Sequence, residues 1–342
     1  MTTTLRDIAK RAGVATGTVS HVLNNNQAVR ISPETRHRVA QIATEMGYRP
    51  NRLAQSLVRQ KTQTIGLLIS GLRNPFFVEV LETAEEAALR RGYTVALDTA
   101  CQLRRDIAQG SRLDGWPVDG ILQWTRGDYL VSSYIGLGNR DVPVVYMGDI
   151  REDDCDYVTF DLYDGTTQAL RHLYAGGRRR IAFMGVANEE ERAGDPRFSA
   201  YLDFCAASGM QPANLSSIYG QTVRFTTQAG MREAGYHTAI RMAIEITGTL
   251  PDAVVCLNDL VAIGAYNGLR RSGVAVPDDI AIVGFDGIPE TRVLEKPLTT
   301  VRSPVPILIE RSLSILTGRL AGGTVGKCQE IIPCELIIGE TS

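Results

Sequence analysis

No stretch of this chain stays apolar for the roughly 20 residues that a bilayer-crossing helix needs. The opening "MTTTLRDIAK" has neither the apolar core nor the small-residue cleavage site of a secretory signal, so the expected compartment is the cytoplasm. Cysteine is sparse. The six residues Cys101, Cys155, Cys205, Cys256, Cys328 and Cys334 show no CxxC spacing, and they read as free thiols, not as a disulfide framework or a zinc site. Histidine is rarer: the four residues His21, His37, His172 and His237 are too dispersed for a metal site or a catalytic triad. HExxH, GxSxG and the P-loop are missing, and "GLGNRD" from Gly136 lacks the third glycine of a dinucleotide fingerprint. No nucleophile–base pair stands out. The chain therefore reads as a binder and not an enzyme, with no cofactor and no metal expected.

What is present is unevenly charged. The 342 residues allow two or three domains, and their formal net charge of −2 conceals a strong asymmetry. Residues 1–62 carry ten Lys or Arg (Arg6, Lys10, Arg11, Arg30, Arg36, Arg38, Arg49, Arg52, Arg59, Lys61) against three acids (Asp7, Glu34, Glu45). That is +7, which leaves 26 basic and 35 acidic residues, or −9, for the remainder. A basic head on an acidic body predicts that the head meets a polyanion and the body does not.

The head divides into helical segments. Leu5, Ile8, Ala9 and Ala12 recur at helical spacing, Thr4 and Asp7 have the arrangement of a capping box, and Gly13 stands where a glycine would stop the helix. A second segment would bury Val19, Val22 and Leu23, leaving Thr16, Gly17, Ser20, His21 and Asn24 outward. A third starts at "SPET", with Ser32 as N-cap and Pro33 at the first helical position, and buries Val39, Ile42, Ala43 and Met46. Two helices joined by a tight glycine-containing turn, with small polar residues outward on the second, have helix-turn-helix spacing. A plain three-helix bundle with a solvated face is the alternative.

"TLRDIAKRAGVATGTVSHVLN" followed by "ISPETRHRVAQIATEMGYRPNRLAQSL" resembles the DNA-binding headpiece of the lactose/galactose-repressor (LacI/GalR) family. The resemblance implies base reading by Thr16, Gly17 and His21, and phosphate positioning by Thr18, Ser20, Asn24, Ser32 and Thr35. Base contacts specify sequence, whereas phosphate contacts fix register. Ala15 stands where the family usually has Ser, so Thr16 is expected to serve as the cap. Gly17 offers no side chain to a base, and His21 stands where the family often has Arg. The segment "PNRLAQSL", Pro50–Leu57, is too short for a stable isolated helix. In the resembling family it folds on DNA, and its matching minor-groove residues here are Ala54 and the wedge Leu57.

From Thr64 onward, short β-branched runs alternate with amphipathic stretches, which predicts parallel sheets with right-handed crossovers. The runs are "TIGLLIS", "TVALDT", "GILQW", "PVVYMG", "YVTFD", "RIAFMG", "SSIYGQ", "AVVCLN", "IAIVGFD", "LTTVR" and "EIIPCELIIG". They suit two sheets better than one. The fold class is thus α/β: a three-helix helix-turn-helix headpiece and hinge helix, then a two-lobed periplasmic-binding-protein-like core of parallel sheets flanked by helices, which the resemblance also implies. The expected divisions are headpiece 1–49, hinge 50–63 and core 64–342. Within the core, the N-lobe is placed at about 64–161 plus 297–321, and the C-lobe at about 162–296 plus 322–342.

Ligands in such folds sit beyond the strands' carboxyl ends. The candidate effector residues are Asn74, Phe76, Phe77, Trp124, Asp161, Arg197, Phe225, Asn258 and Asp286, with Arg197 matching the family's ligand-gripping arginine. Asp259 is expected to cap the helix that follows it. Phe76, Phe77 and Trp124 could equally be core packing. The acid that often ends the strand written here "PVVYMG" is replaced by Gly148, with Asp149 one residue late. An arginine fork, a carboxylate and aromatic faces suit a carbohydrate, with a purine as the alternative. The expected partners are a pseudo-palindromic double-stranded DNA operator, a small-molecule effector and a second copy of the chain, without a membrane. The terminal "IIGETS" carries no leucine heptad, so the family's rarer tetramerising tail is not expected. A transporter's solute-binding protein and a sugar-directed enzyme are the readings from other classes.

Overall fold

The computed structural model describes residues 3–24, 28–48, 61–69, 72–99, 118–125, 142–148, 153–185, 194–213, 228–245, 250–323 and 326–342. They fall into two compact units, Met1–Thr62 and Gln63–Ser342. The hinge residues Ala54 and Leu57, the candidate Phe225, Asp149, Cys101 and the expected strand "SSIYGQ" lie outside the described residues.

The first unit holds α1 (Leu5–Ala12), α2 (Thr16–Leu23) and α3 (Pro33–Glu45). Its entry is a reciprocal cap: the Asp7 N–H donates to Thr4 Oγ1 at 3.3 Å, and the Thr4 N–H donates to Asp7 Oδ2 at 2.9 Å. Such a cap contributes about 1 kcal/mol. Gly13 ends α1 in the left-handed region at φ 66°, which glycine adopts without penalty and which turns the chain sharply into α2. The expected cap at Thr16 is corrected. Ala15 is the N-cap and α2 has no side-chain cap bond, because Thr16 is already the first helical residue, one position too late to accept. Ser32 caps α3, with Pro33 just behind it. Ile8, Ala9, Ala12, Val19, Val39 and Ala43 form the core, with Leu5, Val22, Leu23, Ile42 and Met46 packed around it.

The second unit contains two sheets. The first has the order β10-β5-β4-β3-β1-β2, all parallel: β1 (Thr64–Leu68), β2 (Thr94–Asp98), β3 (Gly120–Thr125), β4 (Val144–Gly148), β5 (Asp156–Asp161) and β10 (Gln329–Pro333). The second has the order β11-β9-β8-β7-β6: β6 (Ile181–Met184), β7 (Ala253–Cys256), β8 (Ala281–Asp286), β9 (Thr299–Arg302) and β11 (Glu335–Ile337), with only β11 antiparallel. Strands such as β6 and β7 are buried at every position, as sheets covered on both faces require. The helices are α4 (Pro75–Arg90), α5 (Leu162–Ala175), α6 (Pro196–Ser208), α7 (Gln228–Glu245), α8 (Asp259–Arg271) and α9 (Val305–Leu320). α7 and α8 touch backbone to backbone, since a Cβ at Gly235 would strike Val261 O and one at Gly264 would strike Arg232 O.

The expected lobe boundaries need two corrections. Thr299–Arg302 falls within the expected N-lobe, but β9 hydrogen-bonds to β8 in the second sheet. Gln329–Pro333 falls within the expected C-lobe, but β10 pairs with β5 at the edge of the first. The run "EIIPCELIIG" is accordingly two strands in different sheets. Pro333 has no N–H to continue the β5 ladder, and the chain leaves at Cys334 to join β9. The chain thus crosses between sheets after Asp161, between β9 and α9, and at Cys334.

α9 and β10 are fastened to β5 by one pair. Arg319 donates from Nε and Nη2 to the two Asp156 oxygens, both at 2.8 Å, and Asp156 Oδ1 also accepts the Cys328 N–H. Burial alone would raise the Asp156 carboxyl, but the Arg319 and Cys328 hydrogen bonds outweigh it and hold it below the usual carboxylate range. Cys205, Cys256 and Cys334 are buried, Cys155 and Cys328 half-buried, and all five are free.

Candidate DNA-reading face and effector cleft

In the first unit, α2 directs its apolar side at Val19 into the core and leaves Thr16, Gly17 and Asn24 exposed, with Thr18, Ser20 and His21 half-exposed. Nothing lies within 4 Å of where a Gly17 Cβ would stand, so the face is open there. Asn24 Nδ2 donates to Ser20 O at 2.8 Å and to Ser20 Oγ at 3.2 Å, which ends the helix and occupies a Ser20 acceptor. At the start of α3, Ser32 Oγ accepts the Thr35 N–H at 3.2 Å and donates to Thr35 Oγ1 at 2.9 Å. The relay polarises the Thr35 hydroxyl so that its own proton points onward, at a helix N-terminus where anions are favoured.

In the second unit, the candidates gather where strands end and helices begin. Asn74 caps α4, its Oδ1 accepting the Phe76 N–H at 3.1 Å. Its Nδ2 donates to Asp286 Oδ2 at 3.1 Å, joining the start of α4 beside the first sheet to the end of β8 in the second. Asp161 caps α5 by accepting the Asp164 N–H, and Asn258 caps α8 by accepting the Val261 N–H. Arg197 is 8% exposed and braced on three sides. Nε and Nη2 donate to Asp195 at 2.9 and 2.8 Å, Nη1 donates to Leu257 O at 2.9 Å, and the guanidinium lies 5.5 Å from the Phe285 ring centroid. Asp195 also accepts the Arg197 N–H, so one carboxylate caps α6 and holds the fork. Burial pushes the Cys334 thiol, within electrostatic reach of Asp161 and Arg197, up to about 12, far from a reactive thiolate.

The aromatic candidates form one cluster. Phe76 stands edge-on to Trp124 at 5.2 Å and to Phe77 at 5.4 Å, and Trp124 also meets Phe77 and Phe160. Phe76 is only 4% exposed and packs in the interior, while Phe77 and Trp124 are half-buried at its margin. Gly148 lies at φ 98°, a setting that disfavours any acid with a Cβ, and its carbonyl accepts the Thr159 hydroxyl.

The expected role of Asp259 is corrected: Asn258 caps α8, and the Asp259 carboxylate turns inward. Its Oδ2 accepts from Gly287 N at 2.7 Å and Ile288 N at 2.9 Å, and its Oδ1 accepts from Thr300 Oγ1 at 2.6 Å. Burial first, then the neighbouring Asp286 carboxylate, push its carboxyl well above the ordinary range against the pull of those donors. Asp195 joins the site although it is not among the residues expected there. "DPR" carries the signal of an N-cap followed by proline, though nothing local announces the arginine brace. Among the described residues no cluster of His, Cys, Asp and Glu is arranged to hold a metal ion.

Residues 4–51 match the description "Bacterial regulatory proteins, lacI family", and residues 170–342 match "Periplasmic binding protein-like domain". The HTH-type transcriptional regulator CelR of Thermobifida fusca is 31% identical over 99% of this chain and 98% of its own. The HTH-type transcriptional repressor PurR of Erwinia tasmaniensis is 32% identical over 93% of this chain and 90% of its own. Among solved structures, the CelR–cellobiose complex superposes with a TM-score of 0.67 at 29% identity, covering 99% of this chain and 100% of that one. The Lac repressor dimer bound to operator and an anti-inducer gives a TM-score of 0.81 at 24% identity, covering 100% and 99%, and so shares the fold.

Proposed function

The chain belongs to the lacI family of bacterial regulatory proteins, and from that premise we propose that it is a homodimeric, effector-controlled repressor of transcription. The observation that carries the reading is the union in one chain of a basic helix-turn-helix unit, whose α2 keeps a polar face open, with a two-sheet body whose candidate polar groups converge at strand ends. Thr16, Gly17 and His21 read base edges. Thr18, Ser20, Asn24, Ser32 and Thr35 set the register on phosphates, the Ser32–Thr35 relay giving the hydroxyl its direction. Two heads related by a twofold axis read a pseudo-palindrome, and the hinge with Ala54 and Leu57 opens the central minor groove.

The effector is a sugar or sugar derivative, the class to which the cellobiose of the CelR complex belongs. Asp286 and the braced Arg197 take hydroxyls, Asn74, Asp161 and Asn258 lie around them, and Phe77 and Trp124 present apolar faces to C–H surface, with Phe76 behind them. Phe225 belongs to the same proposed set. The output is binding and not turnover, and it takes place in the cytoplasm. Effector and operator change one another's affinity by the same factor.

The test is selection from random double-stranded DNA, with the full chain and a chain starting at Thr64 side by side. A pseudo-palindrome enriched by the full chain alone is the expected result. Enrichment of no sequence at low salt, with and without cellobiose, would defeat the proposal.

A further inference from the structure

One carboxylate in the core is used by neither the reading face nor the proposed effector contacts. We infer that Asp259 is a positioning residue: it builds the turn that presents Asp286 to Asn74 and to the effector. The inference rests on the proposed role of Asp286 at the cleft. Four observations converge on it.

First, Asp259 is fully buried at the start of α8, and its two oxygens take three donors: Gly287 N, Ile288 N and Thr300 Oγ1. The two backbone donors are the residues immediately after Asp286. Second, Gly284 in β8 has the shape this requires, since a Cβ there would collide with Asp259 Oδ1 and approach Leu298 Cδ2 to 2.9 Å. Third, Asp286 has φ 111°, a setting that a residue with a Cβ holds only when its surroundings impose it. The two N–H···O bonds to Asp259 supply that imposition directly downstream. Fourth, the side chain so aimed meets Asn74 Nδ2 at 3.1 Å. Thr300, opposite Gly284 in the β8–β9 register, completes the cradle from the neighbouring strand. "GFDG" at the end of β8 and "ND" at the start of α8 therefore form one device. Gly284 admits the carboxylate, the carboxylate holds the turn, and the turn aims Asp286.

A double-substitution cycle in the full chain tests this without an effector. Asn74→Ser keeps a capping oxygen for α4 but removes the amide that reaches Asp286. In the parent it is expected to lower the urea midpoint by about 0.5 M, the size of one hydrogen bond divided by a typical denaturant slope. In Asp259→Asn, whose amide would face a backbone donor, the same change is expected to cost nothing further, because Asp286 is no longer aimed. Thr300→Val, which removes one of the three donors, is expected to shrink the Asn74→Ser shift and serves as the second background if Asp259→Asn does not fold. A merely structural aspartate would leave the Asn74 shift intact, and an undiminished shift in these backgrounds overturns the inference.

Calorimetry with cellobiose forms the second arm. The expected result is about a tenfold loss of affinity in Asp259→Asn relative to the parent. Unchanged affinity would also overturn the inference. A coupled cycle with no cellobiose binding by the parent would instead retain Asp259 in its role and remove only cellobiose as the effector.

Discussion

Replacing Asp195 by Asn should show how the core holds its arginine. Both partners are almost fully enclosed, at 10% and 9% side-chain exposure, and three Asp195 contacts lie between 2.8 and 2.9 Å. Removing one partner of a buried pair costs about 3–5 kcal/mol, because the other charge is left uncompensated. Asn keeps one oxygen, which can still accept the Arg197 N–H and Nε–H, but its amide would point a donor at the Arg197 Nη2 donor. The expected loss is therefore below the full figure, about 2–4 kcal/mol. Leu257 O still accepts from Nη1, so the guanidinium is expected to remain near its place but to lose its fixed orientation. Urea unfolding of the full chain followed by circular dichroism measures the loss, and cellobiose titration of the same samples measures the orientation. A stability change under about 0.5 kcal/mol would mean that the pair behaves like an exposed ion pair, and the reasoning from enclosure would be wrong.

Further outcomes follow from other residues. Arg197→Ala should abolish the response to effector while operator binding by the head persists; a normal response would show that the pocket lies elsewhere. Leu57→Ala should weaken operator binding and leave the core's effector affinity unchanged, whereas equal operator affinity in a mobility-shift assay would remove the wedge role. Gly17→Ala should raise the head's stability by about 0.5–1 kcal/mol, since the site is helical and open, and should alter the selected operator at the base it faces. Asp156→Asn tests the lowered carboxyl at the α9 clamp. Because the folded value lies below the unfolded one, the stabilisation is complete above about pH 5, begins to fall near the unfolded value and is lost as the pH drops through the folded value. Parent and variant should therefore differ at pH 7 and converge in acid; a constant difference down to about pH 2 would refute the assignment.

Much of this architecture was written locally, and what was not has a common cause. The Thr4–Asp7 box, Gly13 and the Ser32-Pro33 start are short-range signals, and each stands where spacing placed it. The strands were legible because parallel strands covered on both faces read as apolar runs. Which sheet a strand joins is a different question, decided by partners far along the chain. Thr299–Arg302 looks equally suited to either sheet, and Pro333 hides the end of one strand inside a longer apolar run. The site follows the same rule. Asn74, Asn258 and Asp195 have capping geometry that nearest neighbours announce, whereas the inward turn of Asp259 depends on Gly284, Gly287 and Thr300 together. A neighbour-by-neighbour reading takes such an aspartate for a cap.

The crossings have a consequence for the order in which the protein comes into being. Gln329–Pro333 forms an edge of one sheet, and Glu335–Ile337 forms an edge of the other. Both follow every other described strand of their sheets along the chain, so neither sheet can be complete until that stretch has left the ribosome. The head has its own hydrophobic centre within residues 1–62. At roughly 5–20 residues per second, the stretch from Gln63 to Ile337 takes about 15–55 s to emerge. Each newborn molecule passes through that interval with its head assembled and its two sheets unfinished, and β10 and β11 then complete both together.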